Sequence, residues 1–268
     1  MKSTKNGAAV EISEAQFAER ERRYRRLPTL RCQNDADIRN FVSDVGICML
    51  FPVQGIEMPN VYHAVAGYNK AMTAKHDDPT ISLTWNTKDQ SLDKRWWFYA
   101  KYIHGKATLI SLDLLPCFYA LSENLGDDDD YLQEYRDGKL STDAKTIYEA
   151  LLKDGAAHAI QLKRVSGFYG DEKKSRFDRA LNELQCGLKV LPVGVAEAGA
   201  WRYAFIYEVL QRWLPDVPQQ AQQLSRSQAR QIITQRYLQN AIVTTPTSLA
   251  KLFGWTLREA QETLHHLS

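Results

Sequence analysis

Two short stretches of this chain carry side chains whose types and spacing could do chemistry. Lys173-Lys174-Ser175-Arg176, followed by Arg179 and Asn182, places cations and polar groups at helical intervals. Arg and Asn can make bidentate contacts with guanine and adenine edges, while Lys, Arg and Ser meet phosphate. The second stretch holds Gln54 and Glu57. A polar pair of this kind can position water or exchange a proton, and its plainer reading is a turn. Other chemistry finds no support. There is no Gly-rich phosphate loop followed by Lys-Ser/Thr, no GxSxG and no HExxH. The His265-His266 pair lacks a third ligand at useful spacing, and acids at 127–130 are explained by a helix N-terminus whose dipole they offset. No metal or cofactor is expected.

The elements that must position the basic stretch follow from its apolar periodicity. At ~100° per residue, Phe177, Leu181, Leu184 and Leu188 share one face of a helix over 172–188. The opposite face presents Ser175, Arg179, Asn182 and Cys186, with Arg176 and Glu183 beside it. Lys173 and Lys174 fall at the N-terminal end, where free backbone N–H groups also attract phosphate. Ahead of this helix, Ser141 or Thr142 caps one ending at Gly155, with Ile147, Leu151 and Leu152 inward, and a second helix covers 157–165. Behind it, 188–193 and 201–206 read as two strands. Three helices followed by a hairpin is the winged-helix order, in which the third helix lies in the major groove.

Beyond Pro215, Pro218 and the Gln-rich 219–223, read as a linker, capping-box sequences at Ser225 and Thr256 mark another three-helix set. Its last helix turns Leu257, Ala260, Leu264 and Leu267 inward. Outward lie Arg258, Glu259, Glu262, His265 and His266, whose two carboxylates would oppose phosphate, so this helix reads as a packing element. In the N-terminal half, residues 1–12 read as disordered. A helix covers 13–26, with arginines 20, 22, 23, 25 and 26, and another runs from Asp35 or Asp37 to Gly46. A strand is expected over 80–85. Thr87 to Gln90 reads as a capping box heading a helix to Gly105, with Leu92, Trp96, Tyr99 and Ile103 on one stripe.

The expected fold class is therefore mainly α with small β-hairpins (α+β), built of tandem winged helix-turn-helix units. Residues 1–30 form an arm and helix, 31–140 a helical, winged-helix-like unit, 141–218 the middle winged helix and 219–268 a C-terminal helix-turn-helix. A net charge of +2 says little about partners, since the distribution matters more than the sum. No apolar run approaches the ~20 residues that span a bilayer, and the N-terminus lacks an export-type apolar segment. Cys32, Cys48, Cys117 and Cys186 are too scattered for a disulfide framework or a CxxC zinc site, which fits a cytoplasmic protein with reduced thiols.

The order of motifs adds a resemblance. Arg230, Tyr237-Leu238, Leu249-Ala250, Phe253-Gly254 and a closing helix over 260–267, together with Arg179-Ala180-Leu181-x-x-Leu184 and Tyr207, Trp213 and Pro215, resemble the AlkZ (YcaQ-like) winged-helix DNA glycosylase family over roughly 35–268. The chain also looks like the shorter group of AlkZ-related proteins. The resemblance implies a concave tandem winged-helix scaffold that binds double-stranded DNA. Its glycosylases carry Gln-Φ-Gln or Gln-Φ-Asp after a helix and a glycine. The matching place after Gly46 reads Ile47-Cys48-Met49-Leu50-Phe51, so Met49 and Phe51 stand at the two polar positions and no catalytic residue carries over. The expectation is a cytoplasmic, nucleoid-associated DNA-binding protein without a membrane partner, related to repair glycosylases but not excising bases. The alternatives are a glycosylase for alkylated, bulky or cross-linked bases using Glu57 as a displaced carboxylate, a winged-helix transcriptional regulator, or a set of protein-interaction modules.

Overall fold

In the first part of the chain, a small sheet divides two apolar cores. The computed structural model describes residues 12–73, 77–199 and 202–267. The expectation for 1–11 and the start of the expected second strand at Trp201 lie outside the described residues. Helix α1 (Glu14–Arg23) opens on a capping box between Ser13 and Gln16. Asn34 caps α2 (Asp35–Val45), which buries Ile38, Phe41, Val42 and Val45. Strand β1 (Ile47–Met49), helices α3 (Val61–Ala66) and α4 (Pro79–Ser91), and strands β2 (Phe98–Lys101) and β3 (Ala107–Ile110) follow. The strands form an antiparallel sheet in the order β1-β3-β2, with Cys48 and Tyr99 both opposite Leu109. Successive residues point to opposite faces of a strand. Ile47, Met49, Phe98, Ala100 and Ile110 accordingly enter one core, while Cys48, Leu50, Trp97, Tyr99 and Leu109 enter the other.

Two expectations fail here. The segment 80–85 is helical, because the Asp78 carboxylate accepts the Thr80 N–H at 2.9 Å and Pro79 takes the first helical position. That helix runs on through Thr87, which therefore caps nothing. The stripe Leu92, Trp96, Tyr99 and Ile103 is not helical either; Tyr99 belongs to β2, and Trp96 and Ile103 flank it. A strand buried on both faces reads as a continuous apolar run, and its residues can match a helical interval by coincidence.

After the short α5 (Leu115–Tyr119) and α6 (Asp130–Arg136), the middle of the chain follows its expected order with one addition. Ser141 caps α7 (Thr142–Asp154), and the two-residue strand β4 (Ala157–His158) precedes α8 (Ala159–Val165) and α9 (Asp171–Cys186). Then come β5 (Val190–Ala196) and β6 (Ala204–Val209), in an antiparallel sheet of order β4-β6-β5. Ile147, Leu151, Leu162, Phe177, Leu181, Leu184 and Tyr207 share a core, so the apolar face assigned to α9 is the buried one. Leu188 is also buried, but within the core that reaches into the N-terminal sheet.

Short α10 (Leu210–Trp213) leads to α11 (Asp216–Gln222), α12 (Arg226–Ala241), α13 (Pro246–Phe253) and α14 (Leu257–His265). The stretch read as a linker is thus the helix α11. Pro218 stands in its first turn, where proline's missing N–H costs nothing, and Val217, Pro218 and Ala221 are buried as α11 packs on α5. Capping boxes open α12 at Ser225 and α14 at Thr256. Ala229, Ile233, Tyr237 and Leu249 join Phe98, Leu114 and Phe118 in one core, so the last helices pack against the N-terminal sheet. On α14, Ala260 and Thr263 are buried, but Leu257 and Leu267 face solvent. The structure is mainly α with two small three-stranded sheets.

Candidate nucleic-acid interface

Helix α9 divides into an open first half and a covered second half. Lys174, Ser175, Arg176 and Arg179 are exposed, on the side away from buried Phe177, Ala180 and Leu184. Lys174 and Arg179 make no side-chain hydrogen bond or ion pair among the described residues. Arg176 differs. Its guanidinium donates to both Asp143 oxygens, at 2.9 and 2.6 Å, and holds that carboxyl below the usual carboxylate range. Lys173 donates to the Gly167 carbonyl at 3.0 Å. In the second half, the Lys101 N–H donates to the Gln185 side chain at 3.0 Å, and the Cys186 thiol donates to the Lys101 carbonyl at 3.2 Å. A Cβ built at Gly105 would stand 3.0 Å from the Asn182 amide nitrogen. Asn182 is therefore half-buried against the loop between β2 and β3, apart from the open cations.

Gln54 and Glu57 line a second feature, a cleft of about 430 Å³ shared with His104, Lys106, Tyr237, Ser248 and Lys251. Among the described residues Glu57 is the one carboxylate lining it. Its side chain is 51% exposed, with Arg26 at 3.5 Å, and its backbone carbonyl accepts the Tyr237 hydroxyl at 3.2 Å. Met49 lies inside the core and accepts from the Thr108 hydroxyl at 4.0 Å through sulfur. The Phe51 ring, half-buried, lies 5.8 Å from Tyr62 and 6.1 Å from Trp85. Neither Met49 nor Phe51 carries an oxygen or nitrogen in its side chain, so neither can hold a water or neutralise a cation.

A family profile described as AlkZ related matches residues 32–254. The chain belongs to the AlkZ-related family. No curated protein and no solved structure matches it. The matched span takes in both sheets, the Glu57 cleft and all of α9, and it ends before α14.

Other charged clusters of this AlkZ-related chain are largely satisfied from within. Arg22 and Arg23 pair with Glu19 at 2.6 and 2.8 Å, Arg25 with Asp44 at 3.2 Å and Arg26 with Glu21 at 3.1 Å. In the acidic run, the Asp130 carboxylate accepts the N–H groups of Leu125, Gly126 and Asp127. Among the described residues, no group of three His, Cys, Asp or Glu is placed to hold a metal, and no helix is long and apolar enough to cross a membrane.

Sequence reasoning missed Lys88, whose side chain is fully buried. Its ammonium lies 4.1 Å from the Trp85 ring centre and 4.6 Å from that of Phe205. It bonds Asp89 and the Tyr203 hydroxyl, the latter at 2.8 Å, and burial pushes its pKa down. Nothing local in the sequence marks this cage, because Tyr203 and Phe205 lie more than a hundred residues downstream, at the start of the β6 region. The cage ties α4 to that strand. The thiols are equally enclosed: burial raises Cys32 and Cys117 to about 11, which leaves them protonated at neutral pH.

Proposed function

We propose that this chain binds duplex DNA through the open first half of α9, with α7, α8 and α9 and the β4-β6-β5 sheet acting as a winged helix, and that it excises no base. One observation carries the reading: Lys174 and Arg179 stand exposed, with no side-chain hydrogen bond or ion pair among the described residues, on a helix whose opposite face is locked into a core. Arg22, Arg23, Arg25 and Arg26 of the other arginine cluster are each held by an acid, whereas this face has charge open to phosphate. The element order helix, short strand, two helices and a hairpin supports the winged-helix reading. The family's relation to AlkZ supports a DNA-repair scaffold. The apolar Met49 and Phe51 support binding without base excision. A chain of this kind would work in the cytoplasm, on the nucleoid.

Titration of a labelled 20-bp duplex at several salt concentrations tests this reading. Affinity should fall with salt, with a log–log slope of about −0.9 for each phosphate neutralised. Absence of binding at low salt would remove the DNA reading and leave the units as protein-interaction modules. A strong preference for one sequence over random duplex would instead make it a transcriptional regulator.

The half-exposed Glu57 in a cleft lined with Lys106 and Lys251 favours one second reading, base excision by a displaced carboxylate. An abasic-site assay on alkylated duplex decides it. We expect no product; product that Glu57→Ala abolishes would establish the enzyme.

A further inference from the structure

The turn between α8 and α9 holds an aromatic side chain out into solvent on a stiff support. Tyr169 is 74% exposed, the most of any large apolar or aromatic side chain described. It makes no hydrogen bond, ring contact or cation contact among the described residues. Its neighbour Phe168 does the opposite: it is buried, with its ring centre 6.0 Å from that of Phe177. The Phe168 N–H bonds the Lys163 carbonyl at 2.7 Å, the Ser166 hydroxyl bonds the Leu162 carbonyl at 2.5 Å, and Lys173 bonds the Gly167 carbonyl at 3.0 Å. Gly167 and Gly170 flank the pair at φ of +77° and +112°, backbone conformations that glycine adopts without strain. Tyr169 is therefore presented by an anchored turn.

The surroundings of Tyr169 say what it meets. It borders a hollow lined by His158, Ile160, Gln161, Arg164 and Val165. Ile160 and Val165 are themselves exposed, and Gly199 of the hairpin tip lies against Ile160, which a Cβ there would meet at 2.8 Å. Among the described residues no carboxylate lines the hollow. Glu172, whose carboxylate lies over Gly170, is outside the lining. The Arg164 side chain has no hydrogen-bond or ion-pair partner among the described residues, and the hollow adjoins the N-terminus of α9. An apolar floor with a cationic rim and a free ring suits a polyanion that offers an aromatic face. Bases in intact duplex are already stacked on one another, whereas a gap or bulge frees a face for an aromatic side chain.

We propose that Tyr169 stacks on an unstacked base, so that the chain favours duplex DNA with a local gap over fully paired duplex. This rests on the DNA-binding reading above and adds the feature of the duplex that is recognised. The test uses the full chain and two 20-bp probes, one fully paired and one carrying a single abasic-site analogue opposite 2-aminopurine. Wild type should bind the gapped probe more tightly and quench its 2-aminopurine. Tyr169→Ala should weaken binding to the gapped probe roughly tenfold, towards the lower end of what one base–aromatic stack is worth, and should abolish the quench. It should leave the paired probe within about twofold, since it removes no charge. Tyr169→Phe should behave as wild type.

Two results would overturn the stacking role while leaving DNA binding intact. One is salt-dependent binding of both probes with no selective loss in Tyr169→Ala; the other is an equal loss on both. If wild type binds neither probe, the DNA reading fails and this inference fails with it. Self-association that Tyr169→Ala abolishes, without any effect on DNA, would also overturn it and give the surface to a protein partner. The thermal melt of Tyr169→Ala should match wild type, since the side chain is 74% exposed and makes no hydrogen bond or ring contact among the described residues.

Discussion

Helices α9 and α14 each come third in a run of three, yet they differ in anchoring and in how their charges are matched. α9 has 16 residues and locks one face into a core through Phe177, Leu181 and Leu184, while its last turns bond the loop after β2. That support leaves Lys174 and Arg179 exposed, with no hydrogen bond or ion pair among the described residues. α14 has 9 residues and buries only Ala260 and Thr263. Its Arg258 is held by its own Glu262 at 2.7 Å, and its Glu259 is held by Thr256 and by Arg230 at 2.9 Å. The family match covers α9 and stops short of α14. Place in the element order does not decide how a helix is anchored or how its charges are matched.

The largest test of that contrast is mechanical. Leu184→Ala should cost about 3 kcal/mol in urea unfolding, as expected for a fully buried leucine in a packed core. Leu257→Ala on α14, where the side chain is 49% exposed, should stay within about 0.5 kcal/mol. Equal losses would mean that α14 is as firmly anchored as α9.

Next in size is the effect on binding. Arg179→Glu should lower duplex affinity about tenfold and flatten the salt slope by about one to two, whereas Arg258→Glu should change neither by more than about twofold. Arg176→Ala should have a smaller effect than Arg179→Glu, because Asp143 already offsets the Arg176 charge. An Arg258→Glu defect equal to that of Arg179→Glu would erase the distinction between the two helices.

Smaller still is the cap. Thr256→Ala should cost about 1 kcal/mol in thermal or urea unfolding by removing the α14 capping box. α9 begins at Gly170 with no side-chain cap to lose.

The smallest effect is acid sensitivity. Bonds from the Thr256 backbone and hydroxyl, with weaker help from Arg230, hold the Glu259 carboxyl below its ordinary 4.5. A carboxyl lowered by folding contributes stability above its unfolded value, and that contribution is lost as pH falls through the folded value. Glu259→Gln should therefore flatten the fall in Tm below about pH 4.5 while leaving neutral stability nearly unchanged, since glutamine also serves in a capping box. An unchanged acid profile would show that the cap contributes nothing there.

Much of this molecule can be read from short-range signals. Ser141, Ser225 and Thr256 cap the helices that their sequences announce, and the apolar stripe Phe177, Leu181, Leu184 is the buried face of α9. Capping and helical periodicity operate within one or two turns, so neighbouring residues suffice to reveal them. The cationic first half of α9 was legible for the same reason. Tyr169 was overlooked although its signal was local, an aromatic pair held between Gly167 and Gly170.

Tertiary packing decided the rest. Whether 92–103 forms a helix or contributes a strand depended on two cores meeting at β2, which no local window contains. Pro218 and its glutamines read as a linker until α5 offered a surface on which α11 could bury Val217 and Ala221. On the wheel Asn182 and Cys186 point outward as plainly as Arg179 does, but a loop some eighty residues earlier covers them. Periodicity in the sequence gives the direction of each side chain from its own helix axis. What waits in that direction, whether water, phosphate or another part of the chain, depends on contacts distant in sequence.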